Sequence, residues 1–238
     1  MSVYYPIFLD LQGKRCLVVG GGDVAARKVE GLLEAGATVV VVSPLLTEAL
    51  DRMAQSGSIR HEARPFKPDD VIGCTIVIGA TDHPAVNAAV CDASRAHGIW
   101  ANIVDTPGAC DFIAPAVVRR GALQIAISTG GNSPTLAKRI RAQLEQRYGW
   151  EYGDLVAWLG QQRERIRRQV ADPAKRRALY QRLVDLSLPD DLDSSDQPSG
   201  VSRLGTQSHR SGTHEEVTRC GELDGGRRQL RRAAGGGL

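Results

Sequence analysis

The sequence is short of aromatic residues, of paired cysteines and of long apolar runs, and each shortage excludes a class of protein. Aromatic residues make up 5% of the 238 residues, whereas apolar residues together make up 42%, which is enough for the core of one large or two small domains. No apolar run approaches the roughly 18 residues of a membrane-spanning helix, and we expect no secretory signal ahead of the first run. The composition therefore favours a soluble protein of the cytoplasm without a membrane partner.

The five cysteines contain no C-x-x-C pair and are odd in number, so the sequence indicates neither a disulfide framework nor a metal site. Cys16 and Cys74 lie in apolar, strand-like runs and are expected to be inert core thiols in a reducing compartment. His209, His214 and Cys220 are scattered, and their spacing matches no known metal site.

The charge of the chain is unevenly distributed, although its net value is only +3, which is too small to indicate a nucleic-acid partner. Residues 138–182 hold twelve Lys or Arg against five Asp or Glu, while the residues before them are close to balanced. This basic stretch faces either an acidic ligand or partner, or simply the solvent, and the sequence leaves both interpretations open.

A glycine-rich turn follows the first apolar strand, residues 17–19. Apolar residues then recur at helical spacing as far as Gly36. Gly20, Gly22 and Ala25 follow the pattern G-x-G-x-x-G/A, in which the residues serve a tight turn, the approach of a pyrophosphate and close packing of helix on strand. Because both the strand and the helix are present, the motif predicts a dinucleotide at the helix N-terminus rather than a merely tight turn.

The second strand, residues 38–43, leaves the choice of dinucleotide open. It ends in Ser43-Pro44, where an NAD enzyme usually carries an Asp or Glu for the ribose hydroxyls. Neither an acidic residue nor an Arg stands there. The sequence therefore supports a dinucleotide more strongly than it supports the choice of NAD over NADP.

Further apolar runs alternate with helical patterns, which is typical of a doubly wound parallel sheet. Residues 4–11 form an apolar segment that we expect to lie against this sheet. Further strands are predicted at residues 59–63, 74–82 and 99–105, with helices over residues 23–36, 45–57 and 84–97.

The pattern changes after Pro107. Residues 112–118 and 123–127 predict two strands around a turn at Arg119-Arg120-Gly121, and a hairpin of this size is expected to pair with a second copy of the chain. Helices are predicted over residues 135–148, 151–170 and 174–186. The expected architecture is α/β: a Rossmann-type parallel sheet domain (1–112), a small α+β dimerisation segment (113–149), a C-terminal helical region (150–188) and a disordered tail (189–238).

Two carboxylates, Asp82 and Asp105, each follow an apolar strand at the edge where enzymes of this architecture bind ligands. Thr81, Asp82 and His83 would face the cofactor. We expect Asp105 to be half-buried, where loss of water lets a carboxylate exchange a proton near neutral pH. The alternative is that Asp105 caps the turn by accepting backbone N–H groups.

A loop with two glycines precedes the helix of residues 135–148. Its side chains cap the helix, and its open backbone N–H groups, together with the basic residues that follow, would suit an anion. The alternative is an ordinary capped helix. The groups concerned are Gly130, Gly131, Asn132, Ser133, Pro134, Lys138, Arg139 and Arg141.

Six motifs occur in the order found in the siroheme synthase dehydrogenase/ferrochelatase family, and the chain resembles that family over about residues 3–186. The resemblance implies oxidation of precorrin-2 to sirohydrochlorin with NAD as hydride acceptor and, in bifunctional members, insertion of ferrous iron to give siroheme. It also implies a tetrapyrrole substrate and a homodimer. The motifs are YPIFLDL at 5–11, LVVGGGDVAARK at 17–28, ATD at 80–82, NIVD at 102–105, FIAP at 112–115 and STGGNSP at 128–134.

The resemblance also assigns roles to single residues. The catalytic aspartate of the family falls on Asp105, and the many carboxylates of the substrate favour the anion-site interpretation of the glycine loop. Together with the glycine pattern, the resemblance places nucleotide binding on Gly20, Gly22, Asp23, Val24, Ala25, Ser43, Thr81 and Asp82. Substrate binding is expected at Asn102, Thr129, Gly130, Gly131, Asn132, Ser133 and Lys138.

Other hypotheses stand beside this one. A dinucleotide-sensing regulatory module without catalysis would explain the glycine turn and the basic helices but would leave Asp105 without a role. A general small-molecule dehydrogenase would lack an evident His or Lys acid/base in the later half. Whether chelation accompanies oxidation, and with which metal, is left open. Some relatives continue into a methyltransferase domain, for which this chain has no length, so we expect that it does not make precorrin-2 itself.

Overall fold

The computed structural model describes residues 4–187, and in the first half of the chain strands and helices alternate. The strands are β1 (Arg15–Val19), β2 (Thr38–Val42), β3 (Arg60–Glu62), β4 (Ile76–Gly79) and β5 (Trp100–Ile103). The helices are α1 (Asp23–Glu34), α2 (Glu48–Gln55) and α3 (Pro84–Ala96), and two short 3₁₀ turns lie at Pro68–Val71 and Pro107–Ala109. The predicted alternation is confirmed.

All five strands are parallel and lie in the order β3-β2-β1-β4-β5. From β1 the chain first adds strands on one side, and then crosses back to add β4 and β5 on the other. In doubly wound sheets, ligands bind at the carboxyl ends of the strands where the strand order reverses. Here that position lies between the ends of β1 and β4, as the predicted Rossmann-type fold requires.

The sheet is buried on both faces because helices cover each side. Successive side chains of a strand point to opposite faces, so Val18 packs with Val29 of α1 in one cluster, whereas Leu17 packs with Val90 of α3 in the other. Each fully buried Val or Leu stabilises the fold by roughly 1.5–3 kcal/mol relative to an exposed one. This double burial explains why the strands read as continuous apolar runs.

The predicted core thiols are confirmed. Cys16 and Cys74 are buried and free of disulfides. Burial raises the pKa of the Cys16 thiol to about 11 and also raises the pKa of the Cys74 thiol, so both stay protonated at neutral pH and are poor nucleophiles.

The second half contains an antiparallel hairpin, β6 (Ala116–Arg120) and β7 (Leu123–Ile127), followed by α4 (Pro134–Arg147), α5 (Glu151–Gln169) and α6 (Pro173–Ser187). The turn predicted at Arg119 and Arg120 is wrong by two residues, because both arginines belong to β6. The Arg120 guanidinium donates to the carbonyls of Tyr148 (2.8 Å) and Glu145 (3.0 Å) at the end of α4. β6 reaches Arg120 because Arg119 and Arg120 pair with Gln124 and Leu123 of β7, and the side-chain bonds of Arg120 fix the hairpin to the end of α4.

The apolar segment of residues 4–11 does not lie against the sheet as expected. Tyr5 is 86% exposed and Phe8 is 67% exposed, and of this segment only Leu11 is buried, where it joins the α1 side of the core. The segment forms no strand, so nothing in the described chain pairs its backbone with the sheet.

None of the helices among residues 4–187 is long and apolar enough to cross a membrane. The tail of residues 189–238, with His209, His214 and Cys220, lies outside the described residues. The domain boundaries expected at residues 112, 149 and 188 stay predictions.

Candidate active site at the carboxyl edge of the sheet

The glycine loop after β1 is compressed between two neighbouring turns. Gly20 has φ of 123°, and a Cβ at Gly20 would collide with the carbonyl of Ala80 beyond β4, while one at Gly21 would collide with the carbonyl of Leu45 beyond β2. Gly22 differs, because nothing lies within 4 Å of the position of its missing Cβ. The first two glycines are therefore required by packing, and Gly22 alone faces open space.

Helix α1 begins directly behind this open space. Gly22 is its N-cap residue in an extended conformation, and no side chain caps the helix. The first N–H groups and the positive end of the helix dipole are thus left for an external anion. Ala25 is fully buried against the sheet, as expected for the small residue in the third position of the motif. The residues present fit the pyrophosphate of a dinucleotide.

Ser43 at the end of β2 lies beside this loop, but its hydroxyl is already engaged. Its Oγ–H donates to the carbonyl of Leu45 at 2.7 Å, and Ser43 is buried. The turn that it stabilises also joins the glycine loop, since Thr47 N–H donates to the Gly21 carbonyl at 2.8 Å. Ser43 shapes the nucleotide site in this structure and offers no free hydroxyl to a ribose.

The turn after β4 is held by a residue that the sequence analysis missed. Asn87 of α3 donates from Nδ2 to the Thr81 carbonyl at 2.9 Å, and its Oδ1 lies 3.2 Å from the Thr81 hydroxyl. Asp82 is exposed next to this turn. The sequence did carry a signal for this role of Asn87. It is a polar residue one turn into a helix that begins with proline, and such a side chain reaches back to the preceding loop.

Asp105 lies just past the end of β5 with φ of 58°, the only described non-glycine residue with positive φ. The expectation of half-burial is wrong, because Asp105 is exposed in the turn that follows β5 directly, where the Thr106 N–H donates to the Ile103 carbonyl at 3.3 Å. Its carboxylate makes no hydrogen bond or ion pair with any of residues 4–187, which argues against the turn-capping alternative. Strained non-glycine conformations of this kind cluster at functional sites.

The loop that presents Asp105 is tied back to the end of β5 by the Cys110 thiol. Cys110 Sγ–H donates to the Ile103 carbonyl at 3.1 Å, and the Ile103 N–H donates to the same sulfur at 3.2 Å. Burial raises the pKa of the Cys110 thiol, which keeps it protonated as a donor. Asp111 extends the clamp along the exposed edge of β5, because its carboxylate accepts the Ala101 N–H at 2.8 Å.

Asn102 lies inside this clamp. It is 7% exposed, and its Nδ2 donates to the Phe112 carbonyl at 2.9 Å. The described contacts therefore tie the Asn102 amide to the returning loop, and its assignment to substrate binding stays a prediction.

The second glycine loop is more internally bonded than expected. Ser133 caps α4 by accepting the Leu136 N–H at 3.3 Å, and Thr129 Oγ1 accepts the Ser133 N–H at 3.1 Å. The Gly130 N–H, predicted to be open, donates to Ser128 Oγ at 3.0 Å. Asn132 donates back into the same loop, to the Thr129 carbonyl at 2.9 Å.

Gly131 and Lys138 are exposed, and no hydrogen bond or ion pair within residues 4–187 joins this loop to Asp105 or to the first glycine loop. The structure thus brings the predicted nucleotide residues and Asp105 to one edge of the sheet, whereas the role of the predicted substrate loop stays a prediction.

A parallel sheet of this strand order, with a glycine turn and an uncapped helix at its point of reversal, defines a dinucleotide-binding protein of the Rossmann type. Residues 7–116 match a family model described as putative NAD(P)-binding. Residues 120–147 match the central region of sirohaem biosynthesis proteins, and residues 151–204 match the sirohaem synthase dimerisation region. The chain belongs to the siroheme synthase family, and the predicted nicotinamide dinucleotide cofactor is confirmed at this level.

Relatives and a solved structure agree with this assignment. The chain is 42% identical over 182 residues to the siroheme synthase of Methylococcus capsulatus, covering 76% of this chain and 38% of that protein. It is 39% identical over 201 residues to the siroheme synthase of Nitrosococcus oceani, covering 84% of this chain and 43% of that protein. The structure of SirC, a precorrin-2 dehydrogenase, matches with a TM-score of 0.65 and 29% identity over 81% of this chain and 94% of SirC. The chain thus spans less than half the length of these two curated relatives.

Proposed function

We propose that this chain oxidises precorrin-2 to sirohydrochlorin with NAD as hydride acceptor. The observation that carries the proposal is the position of Asp105, whose unpaired carboxylate stands at the same sheet edge as the glycine loop of α1. SirC, which is similar over nearly its whole length, and the siroheme synthases among the relatives support this reaction over a regulatory module without catalysis.

The residues divide the work between binding and proton transfer. Gly22 and the first N–H groups of α1 bind the pyrophosphate, Gly20 supplies the tight turn that leads to them, and the turn at Thr81 borders the same crevice. NAD, when bound, supplies a hydride acceptor. Asp105 accepts the proton that leaves the macrocycle in the same oxidation, so that the substrate loses one hydride and one proton and gains one double bond.

The exposure of Asp105 suits this role. A carboxylate outside the core can reach a large planar substrate that could not enter the fold, while the Cys110 clamp restricts the direction in which Asp105 points. The substrate itself would then exclude water from the carboxylate on binding.

The basic second half would receive the acidic groups of the tetrapyrrole and hold a second copy of the chain. Exposed large apolar side chains on this half include Leu136, Trp150 and Leu179, which is the type of surface that a dimer buries. We therefore propose a homodimer, in agreement with the match to the dimerisation region.

Chelation of ferrous iron by the same site is part of the proposal. Residues 4–187 contain no group of three His, Cys, Asp or Glu side chains placed to hold a metal ion. The metal would therefore pass directly into the macrocycle as a substrate, while Asp105 accepts the two displaced pyrrole protons one after the other and releases each to water.

The test is an anaerobic assay in two phases with the purified full chain. In the first phase, precorrin-2 and NAD should give sirohydrochlorin and NADH in equal amounts. Tight NAD binding without any NADH would overturn the enzyme proposal in favour of the sensing module. In the second phase, ferrous ion is added, and an unchanged sirohydrochlorin spectrum would remove chelation from the proposal and leave the oxidation.

A further inference from the structure

Lys28 lies on α1 behind the glycine loop, and the proposed reaction assigns it no role. It is three residues after Ala25 and four before Leu32, both of which are buried, so it lies along the flank of the buried face of the helix. Lys28 itself is half-buried. It stands six residues past Gly22, about 9 Å further along the helix axis, beyond the first turn that binds a pyrophosphate.

The loop that carries Asp105 returns to the α1 side of the sheet, because Phe112 packs against the buried cluster that contains Ala25 and Val29 of α1. Burial lowers the pKa of the Lys28 ammonium, and the neighbouring Arg27 lowers it further. The two groups that favour its charged form are the Cys110 thiol and the Asp105 carboxylate, both on the loop after β5. Together with the packing of Phe112, these interactions put Lys28 on the side of α1 next to the loop that carries Asp105.

The Lys28 ammonium is not paired. Its side chain makes no hydrogen bond and no ion pair with any of residues 4–187, and Asp105 is too distant to form an ion pair with it. A half-buried cation that has lost part of its water without gaining an anion is costly. An anionic group bound between α1 and the Asp105 loop would remove this cost.

We infer that Lys28 binds a carboxylate of the substrate and thereby holds the macrocycle beside Asp105. The inference rests on the proposed function, since it takes the anionic ligand to be the tetrapyrrole. Lys28 is in this sense a substrate-binding residue that sets the orientation of the ring. Because Asp105 repels this carboxylate, the carboxylate of the substrate lies beside Lys28. The ring carbon to be oxidised then lies beside Asp105.

The test compares full-length Lys28→Met and Lys28→Arg with a matched control, Lys14→Met. Lys14→Met removes one positive charge and changes the side chain in the same way as Lys28→Met. Lys14, however, precedes β1 and so lies at the opposite edge of the sheet. For each protein, anaerobic titration gives the Kd of sirohydrochlorin and of NAD, and steady-state kinetics give KM for precorrin-2 and kcat.

Lys28→Met should raise the Kd of sirohydrochlorin and the KM of precorrin-2 by roughly tenfold, the range expected for one charge-assisted hydrogen bond, with the Kd of NAD unchanged. Lys28→Arg should restore most of the affinity, and Lys14→Met should behave like the wild type. A fall in kcat alone would overturn the inference, because Lys28 would then act through Asp105. Weaker NAD binding would also overturn it, because Lys28 would then belong to the nucleotide site.

The two proposals fail in different ways. A wild-type chain that neither binds sirohydrochlorin nor forms NADH would overturn the proposed function. A fully active wild-type chain together with a Lys28→Met variant of equal substrate affinity would overturn only the role of Lys28.

Discussion

At the scale of single residues, two backbone positions define the site. Gly22 keeps the space in front of α1 open, since no atom lies within 4 Å of where its Cβ would be. Asp105 holds a left-handed conformation with φ of 58°, which costs a residue with a side chain more than it costs glycine. Under the proposed function, both positions favour ligand binding over local stability.

The cost at Asp105 can be measured by comparing two variants that both lack the carboxylate. The free energy of unfolding of Asp105→Ala should be about 1 kcal/mol lower than that of Asp105→Gly, because only glycine adopts this conformation without strain. Urea denaturation of both variants checks the difference. Equal stability would mean that the loop does not keep Asp105 in the left-handed conformation.

Gly22→Asp should separate stability from binding. Aspartate is a favoured N-cap residue, and Gly22 already has the extended conformation of an N-cap, so the variant should be as stable as the wild type or more stable. Its carboxylate would meet the pyrophosphate, and NAD affinity should fall at least about tenfold.

The control for Gly22→Asp is Gly31→Ala, which adds a side chain to open space on the middle of the same helix and should leave NAD affinity unchanged. Unaltered NAD affinity in Gly22→Asp would show that the glycine loop is only a tight turn.

At the scale of elements, the loop between β5 and β6 is the part that local patterns could not define. The Cys110 thiol bonds to both backbone groups of Ile103, and the Asp111 carboxylate bonds to Ala101. These contacts join residues seven to ten positions apart and cover the edge of β5. They fix where Asp105 points, so the loop serves as the support of the site.

Cys110→Ala should loosen this support without removing any group that touches the substrate. We expect kcat to fall between about tenfold and 100-fold, since small misplacements of reacting groups have effects of this size, while the Kd of NAD stays unchanged. An unaltered kcat would contradict the supporting role.

The stability effect of Cys110→Ala should depend on pH. Burial raises the pKa of the Cys110 thiol above its ordinary value of 9.0. Deprotonation is therefore easier in the unfolded chain, and the contribution of the thiol to stability is complete below pH 9.0 and is lost as the pH rises through the folded-state pKa. The difference in unfolding free energy between the wild type and Cys110→Ala should be constant below that pH and should shrink above it.

At the scale of the whole molecule, the parallel sheet and its glycine turn could be predicted because they depend on short-range patterns. Double burial makes β1, β2 and β4 continuous apolar runs, and α1 carries a clear apolar face. The errors lie where distant contacts decide the structure. The side chain of Arg120 joins β6 to the end of α4, which the local pattern around a predicted turn did not indicate. Asp105 is exposed because it lies in the turn that follows β5 directly.

The site was predictable to the same extent. The sequence places Asp105 after a strand and therefore at the correct edge of the sheet, but its conformation depends on Cys110. The position of Lys28 likewise follows from how α1 packs beside the loop after β5, which no local pattern reports. Asn87 differs, because its place one turn into a helix that begins with proline is a local signal. In the proposed homodimer, the arrangement of the second half would depend on contacts between two chains, which a single sequence does not report.

The measurement that tests the account most directly is a single turnover of Asp105→Asn beside Asp92→Asn, an exposed position on α3 with the same chemical change. Each protein is saturated with NAD under anaerobic conditions and mixed with precorrin-2, and the formation of NADH is followed. Asp105→Asn should bind NAD as the wild type does and form NADH at least about 100-fold more slowly, as expected for the loss of a general base, whereas Asp92→Asn should match the wild type. Wild-type rates of NADH formation in Asp105→Asn would contradict the central claim that Asp105 is the proton acceptor of this site.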